Sequence, residues 1–178
     1  MLFRSRSYVE QQGAPALSVR ASCSGDATTV GLNQGRFTGG PDAPAPPAQT
    51  WTLPVCLKPL PASPAQCQVV DRAQQSLSLK GCAANVFANP DARGYYFSEY
   101  TPEGVKALAR TARTALTPVE RVSLLGDEWW MVRGGRHDIG VYLDLGGALA
   151  TDDTSAVIDA IAGRLTTTGE YKIGRAHV

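Results

Sequence analysis

The sequence predicts a β-sandwich followed by an α-helical array, and a change in hydrophobic spacing separates the two parts. Up to about residue 98, apolar and polar residues alternate over short runs separated by Gly, Pro, Asn and Asp, which is typical of strands. From Thr101 onward, apolar residues recur every three or four positions, which is typical of helices. Hydrophobic residues make up 43% of the chain and charged residues 19%, so an ordinary globular core can form.

The first part, residues 1–98, contains the predicted strands. Short strands at this density suggest a β-sandwich. Residues 39–48 contain four prolines and are predicted to form a loop, because proline cannot donate to a strand ladder. The strands are predicted at residues 16–21, 29–34, 51–57, 66–70, 76–80 and near 95–98.

The second part, residues 99–171, contains four predicted helices. Thr101 and Thr117 are each followed by proline, and a capping hydroxyl before a first-turn proline is typical of a helix start. The second helix is expected to end at Gly134, a third to span 137–149, and a fourth to begin after 151–153. The apolar face of the second helix is predicted to comprise Val122, Leu125, Trp129 and Val132.

Charge and hydropathy exclude several classes of partner. The net charge of +1 gives no indication of binding to nucleic acid or to an anionic membrane, since both favour dense basic patches. The apolar runs are far too short to form a membrane segment. No secretory signal is visible, so the signal of an exported parent protein would lie upstream of Met1.

The four cysteines predict disulfides rather than a zinc site, because none forms a C-x-x-C pair. If residues 51–57 and 66–70 form a hairpin, a symmetric register places Cys56 opposite Cys67, and we predict a disulfide there. A bond between Cys67 and Cys82 is the second choice, and four buried reduced cysteines remain an alternative. A disulfide would indicate that the parent is periplasmic or secreted.

Five segments together resemble the aminopeptidase N family of zinc aminopeptidases, and they occur in the family's order. The resemblance covers roughly residues 5–165. One residue departs from the family pattern, because Phe97 stands where an arginine usually follows the paired tyrosines. The segments are Ser7–Pro15, Gln34–Phe37 (Q-G-R-F), Trp51–Val55 (W-T-L-P-V), Asn89–Tyr96 (N-P-D-A-R-G-Y-Y) and Arg121–Asp127 (R-V-S-L-L-G-D).

This resemblance implies a multidomain parent enzyme whose catalytic domain lies upstream. In the family, zinc is held by H-E-x-x-H and a downstream Glu, and the first Glu is the general base. Neither histidine here begins that pattern, so we expect no catalytic residue, no metal ligand and no cofactor in this chain, with zinc in the parent. Residues 1–15 would connect from the missing catalytic domain of the same polypeptide.

The expected function is therefore that of a noncatalytic fragment, which spaces and caps the catalytic domain of a zinc-dependent metallo-aminopeptidase acting on peptides. The alternative is a free-standing β-sandwich interaction module with a helical extension. The chain ends favour the fragment, because the sequence begins within an expected interdomain connection and stops after a few helices.

Three residue pairs suggest a site, but each has a structural interpretation that we favour. Trp129-Trp130 suggests a substrate chamber, although Trp129 falls on the apolar face of its helix. Tyr95-Tyr96 suggests hydrogen bonding to substrate, although a strand would place one tyrosine in the core and one at the junction. Asp127-Glu128 suggests paired catalytic acids, but adjacent helix positions diverge, so solvated or salt-bridged acids are expected.

The last residues, 172–178, are predicted to be translated sequencing adapter rather than natural sequence. Ile173–Val178 is what ATC-GGA-AGA-GCA-CAC-GTC encodes, the core of a widely used short-read adapter whose next codon in this frame is a stop. A natural disordered tail is the rival explanation. Arg175 and His177 are accordingly excluded as binding residues or ligands.

Overall fold

A computed structural model describes residues 6–40, 47–61 and 63–174, with the side chains of 170–174 left out. After a short helix, α1 (Ser7–Glu10), seven strands precede the helical array. They are β1 (Pro15–Ser24), β2 (Ala27–Arg36), β3 (Leu53–Leu60), β4 (Gln66–Val70), β5 (Gln74–Lys80), β6 (Asn85–Ala88) and β7 (Phe97–Glu99).

The strands form two sheets. One has the order β5-β2-β1-β7 and the other the order β4-β3-β6. All pairings are antiparallel except that of β7 with β1, which is parallel. Alternating residues of β1, β2 and β3 point inward into one hydrophobic core, as a sandwich requires.

One buried glutamine joins the two sheets. The side chain of Gln34 in β2 donates to the carbonyl oxygen of Trp51 and accepts from its N–H, both at 2.9 Å. Gln34 also donates to the carbonyl of Arg72 at 3.1 Å. These bonds satisfy a buried amide that would otherwise destabilise the core, and they fix the segment that leads into β3.

Four helices follow the sandwich: α2 (Pro102–Ala115), α3 (Pro118–Arg133), α4 (Ile139–Ala148) and α5 (Ser155–Gly174). Thr101 caps α2 by accepting from the Gly104 N–H. Thr117 and Glu120 form a reciprocal capping box on α3. The predicted fold class, a β-sandwich followed by an α-helical array, is therefore confirmed.

The hydrophobic core is continuous from the sandwich into the helices. Buried residues of both sheets belong to the same cluster as Val105 and Leu108 of α2, Leu125 of α3 and Leu145 of α4. Continuity of this kind makes relative motion of the two parts costly, since it would expose apolar surface. Within the part of the chain that the structure describes, no helix has the length and apolarity needed to cross a membrane.

Several local predictions need correction. The prediction missed β6, and a strand does not run through Tyr95 and Tyr96, because β7 begins only at Phe97. The backbone of α5 includes residues 172–174 of the segment predicted to be translated adapter, and the adapter origin of residues 172–178 stays a prediction. The rest of that segment, like residues 41–46 of the predicted proline-rich loop and residues 1–5, lies outside the described residues.

Candidate functional site

A constrained loop connects the sandwich to the helices. Asn89, Asp91 and Ala92 all have positive φ, between 53° and 62°, a conformation that costs non-glycine residues free energy. The Asn89 side chain holds the loop closed, since its Nδ2 donates to the Gly94 carbonyl at 3.0 Å and its Oδ1 accepts from the Gly94 N–H at 2.5 Å. A Cβ at Gly94 would overlap the Tyr96 ring, so glycine is required there. Asn89 and Gly94 of the segment 89–96 thus close the loop, Asn89 through its side-chain amide and Gly94 through its backbone.

This loop forms one wall of a pocket of about 240 Å³ against α3 and the segment that precedes β1. A smaller pocket of about 170 Å³ between β1, β6 and α2 has Arg20 as its charged lining residue and contains no carboxylate. The pocket beside the loop differs because a carboxylate lies in it. Its lining includes Ala14, Asn89, Tyr95, Tyr96, Ser123 and Asp127; we call it the junction pocket.

Asp127 is the charged residue of the junction pocket. Its Oδ2 accepts from the Ser98 N–H at 3.0 Å, and no cation pairs with it among the described residues. Burial raises the pKa of Asp127 to about 7, and the nearby charge of Glu128 adds to that effect, while the Ser98 hydrogen bonds oppose it. Asp127 is therefore a partly exposed helix acid with no salt bridge among the described residues.

Tyr96 lines the same pocket, and its hydroxyl is buried. The side chain is only 7% exposed, and its hydroxyl has no hydrogen bond of acceptable geometry among the described residues. Burial raises the pKa of Tyr96 well above its usual value, and the charge of Asp127 raises it further. The backbones of Cys56 and Asn89 offset part of that shift. Less than 1 Å² of the hydroxyl oxygen is exposed, so it is closed to solvent and to a ligand in the pocket.

Glu128 belongs to a different environment from its neighbour Asp127. Both of its carboxylate oxygens lie 2.9 Å from Nδ1 of His137, in the loop after α3. The hydrogen bond with Glu128 raises the pKa of His137, whereas burial raises the pKa of Glu128. Asp127 and Glu128 thus have separate partners and do not converge on one cleft, as the sequence predicted.

Two ion pairs connect the strands to α3 and the loop after it. Lys58 of β3 lies 2.8 Å from Oε2 of Glu120, which is 1% exposed. Arg136 donates to both oxygens of Glu99 in β7, at 2.9 and 2.6 Å, and the Ser18 hydroxyl donates to the same carboxylate. Burial alone would raise the pKa of Glu99, but the Arg136 and Ser18 hydrogen bonds lower it below the ordinary value.

A third buried pair fixes α3 to the start of α5. Arg121 Nη2 donates to Oδ1 of Asp152 at 3.1 Å, and Arg121 Nε lies 2.8 Å from Oδ2 without hydrogen-bond alignment. Arg121 also donates to the carbonyl of Leu116 at 2.7 Å. Arg121 therefore has a structural role: it connects α3 to the end of α2 through Leu116 and to the start of α5 through Asp152.

The aromatic pairs fall on different surfaces. Trp129 is 5% exposed and packs edge to face against Tyr142, so it lies in the core, as predicted. Trp130 is 37% exposed and contacts the rings of Phe37 and Phe97. Tyr95 is 71% exposed and contacts Tyr8, whereas Tyr96 is buried. One tyrosine thus lies in the core, but the turn closed by Asn89, rather than a strand, separates the two.

Both disulfides lie in the sandwich. Cys56 and Cys67 are directly opposite in the β3–β4 pair, with Cα atoms 4.0 Å apart, and they form the predicted bond. The second bond joins Cys23 to Cys82, so the second-choice pairing of Cys67 with Cys82 and the alternative of four reduced cysteines are both wrong. Disulfides are compatible with an extracellular or secreted location.

The residues present do not fit a zinc site. The sequence contains no H-E-x-x-H, and within residues 6–40, 47–61 and 63–174 no group of three or more His, Cys, Asp or Glu side chains could hold a metal ion. We therefore derive no metal chemistry from this chain.

Residues 85–171, from β6 into α5, match the family model described as ERAP1-like C-terminal domain. The match points to the aminopeptidase family. It corresponds to a noncatalytic domain of an aminopeptidase-like protein. The matched residues include the constrained loop, Asp127 and both members of the Glu99–Arg136 and Arg121–Asp152 pairs. Of the Lys58–Glu120 pair, only Glu120 lies within the match. No curated protein matches the chain.

Proposed function

We propose that this chain is a noncatalytic part of a zinc-dependent metallo-aminopeptidase of the aminopeptidase N type. In this proposal residues 1–98 form a sandwich that spaces the catalytic domain, and residues 99–171 begin the helical domain that caps it. The observation that carries the proposal is the match of residues 85–171 to an ERAP1-like C-terminal domain. The five segments that resemble the aminopeptidase N family extend the argument upstream of residue 85.

The stiffness of the junction supports a spacing role. A spacer can orient one domain over another only if it does not bend between them, because misplacement by about 1 Å lowers catalytic efficiency. The continuous core and the Lys58–Glu120 and Glu99–Arg136 pairs meet that requirement. Chemistry, zinc and the recognition of peptide substrates would belong to the catalytic domain of the same polypeptide, in a periplasmic or secreted enzyme.

The test begins with the natural coding sequence upstream of Met1. An H-E-x-x-H motif in the preceding domain is expected, and the full-length protein should contain zinc and release amino acids from aminoacyl fluorogenic substrates. Absence of the motif would refute the proposal and would favour a free-standing interaction module.

A variant of the full-length enzyme tests the spacing role separately. Lys58→Met breaks a junction ion pair without touching the catalytic domain. We expect reduced kcat/KM with unchanged zinc content. The matched control is Lys106→Met, which breaks an exposed pair with Asp144 and should leave kcat/KM unchanged. Equal activity of the two variants would remove the support for spacing.

A further inference from the structure

We propose that the junction pocket is a binding site for a primary alkylammonium group, with Asp127 as its counter-ion. The pocket is built by three separate parts of the chain: the segment before β1, residues 89–97 and α3. Its volume of about 240 Å³ corresponds to about eight water molecules at ~30 Å³ each, so a short aliphatic amine fits.

Charge is the first argument for a cationic ligand. Asp127 lines the pocket and is partly exposed, and none of the described residues forms an ion pair with it. The titratable groups that face it are Glu128 on the same helix and the phenols of Tyr96 and Tyr100. None of these can supply a positive charge, so a ligand cation would meet an unopposed carboxylate.

Unused hydrogen-bonding capacity is the second argument. In the part of the chain that the structure describes, only Ser98 donates to the Asp127 carboxylate, and its N–H reaches one of the two oxygens, Oδ2. An ammonium group has three donors and no acceptor, so it can use both oxygens. The Ser98 N–H uses one lone pair of Oδ2, so the other lone pairs of the carboxylate remain for the ammonium.

The third argument is the cost at which the pocket is maintained. Asn89, Asp91 and Ala92 hold positive φ, and Asn89 fixes the loop through both atoms of its amide. Strain of this kind persists only where the surrounding structure enforces it, and it is concentrated at ligand sites. The alkyl part of the ligand would contact the aromatic ring of Tyr95 and the methyl group of Ala14, which also line the pocket.

Binding should depend on pH in a defined direction. An ammonium binds the ionised form of Asp127, whose pKa is about 7 in the free protein. At about pH 5.5 only one site in about 30 is ionised, so the affinity should be about thirtyfold weaker than at about pH 8.5. The amine itself stays charged at both values, since its pKa resembles that of lysine, about 10.4.

The experiment titrates the chain of 178 residues with n-butylammonium and follows the amide signals of Tyr96 and Ser98 by NMR. Saturable binding at about millimolar concentration is expected. A parallel titration with Nα-acetyl-lysine methylamide distinguishes a protein lysine from a free amine as the source. Binding of either probe supports the site, and the stronger one identifies the source.

Variants make the result decisive. Asp127→Asn keeps an acceptor for the Ser98 N–H and removes the charge, so binding should weaken at least about tenfold. Asp144→Asn, at an exposed carboxylate, is the control and should bind as the wild type does. Equal binding of n-butanol, an unchanged affinity in Asp127→Asn, or no saturation by either amine would overturn the proposal and leave water as the only occupant.

Discussion

Replacing Lys58 by methionine should destabilise the protein far more than the same substitution at the surface. Lys58 Nζ lies 2.8 Å from a Glu120 oxygen, and the side chains are 20% and 2% exposed. At an effective dielectric constant of about 20, that separation corresponds to about 6 kcal/mol of gross attraction. Removing one partner of a buried pair typically costs about 3 to 5 kcal/mol, because the remaining charge stays buried.

The lower end of that range applies, because Glu120 keeps two other donors. The N–H groups of Thr117 and Asp91 still reach its carboxylate, at 2.8 and 3.3 Å. We therefore expect Lys58→Met to lose about 3 kcal/mol, which is about 6 to 12 °C in Tm for a chain of this size. Thermal and urea unfolding followed by circular dichroism would measure the loss.

The matched control is Lys106→Met, whose pair with Asp144 is 54% and 59% exposed. This variant should lose less than about 1 kcal/mol. The pKa of Glu120 lies below its ordinary value, since the Lys58 and Thr117 hydrogen bonds outweigh burial. Its contribution is thus present above the unfolded-state pKa and is lost as pH falls through the folded value. Similar losses in the two lysine variants, or the same acid dependence with and without Lys58, would refute the reasoning.

Three further predictions concern pH, disulfides and metal. Because the folded-state pKa of Asp127 is raised to about 7, the free energy of unfolding should fall by about 2 to 4 kcal/mol between about pH 4 and pH 7, and Asp127→Asn should flatten that decline; an unchanged pH profile would contradict this. Replacing Cys23 and Cys82 by serine should lower the free energy of unfolding by about 4 kcal/mol, and replacing Cys56 and Cys67 should lower it by about 3 kcal/mol, because the bonds close loops of 59 and 11 residues. Urea unfolding measures both losses, and the reverse order would disprove the entropic argument. The purified chain should bind no stoichiometric zinc and show no zinc-dependent aminoacyl hydrolysis. Metal analysis and an aminoacyl hydrolysis assay check this, and bound zinc or turnover after zinc addition would contradict it.

The elements that the sequence predicted well are those specified by local chemistry. Thr101 and Thr117 cap their helices through their own hydroxyls, so a few adjacent residues suffice to place α2 and α3. The Cys56–Cys67 bond followed from the register of a hairpin, which is also local. By contrast, β6 is a four-residue strand that is mostly buried, and such a short apolar run has no periodicity to recognise.

The junction pocket was not predicted, because its residues are distant in sequence and their signals are not periodic. Asn89 was recognised as part of a segment, but its left-handed backbone and its bonds to Gly94 depend on the folded loop. Helical spacing also could not show which polar residues of α3 are buried. Glu120 and Arg121 are 1% and 6% exposed, because partners from other elements compensate their charges.

The pairing of charges along α3 makes Asp127 the informative exception. Glu120, Arg121 and Glu128 each face an oppositely charged or protonatable side chain from outside the helix. Among the described residues, Asp127 receives hydrogen bonds from Ser98 alone and pairs with no cation, and burial raises its pKa. A neutral asparagine could accept the same hydrogen bond at lower cost, so packing alone does not explain an acid there. A cation in the pocket would stabilise the carboxylate at this position, which is the condition that the alkylammonium titration examines.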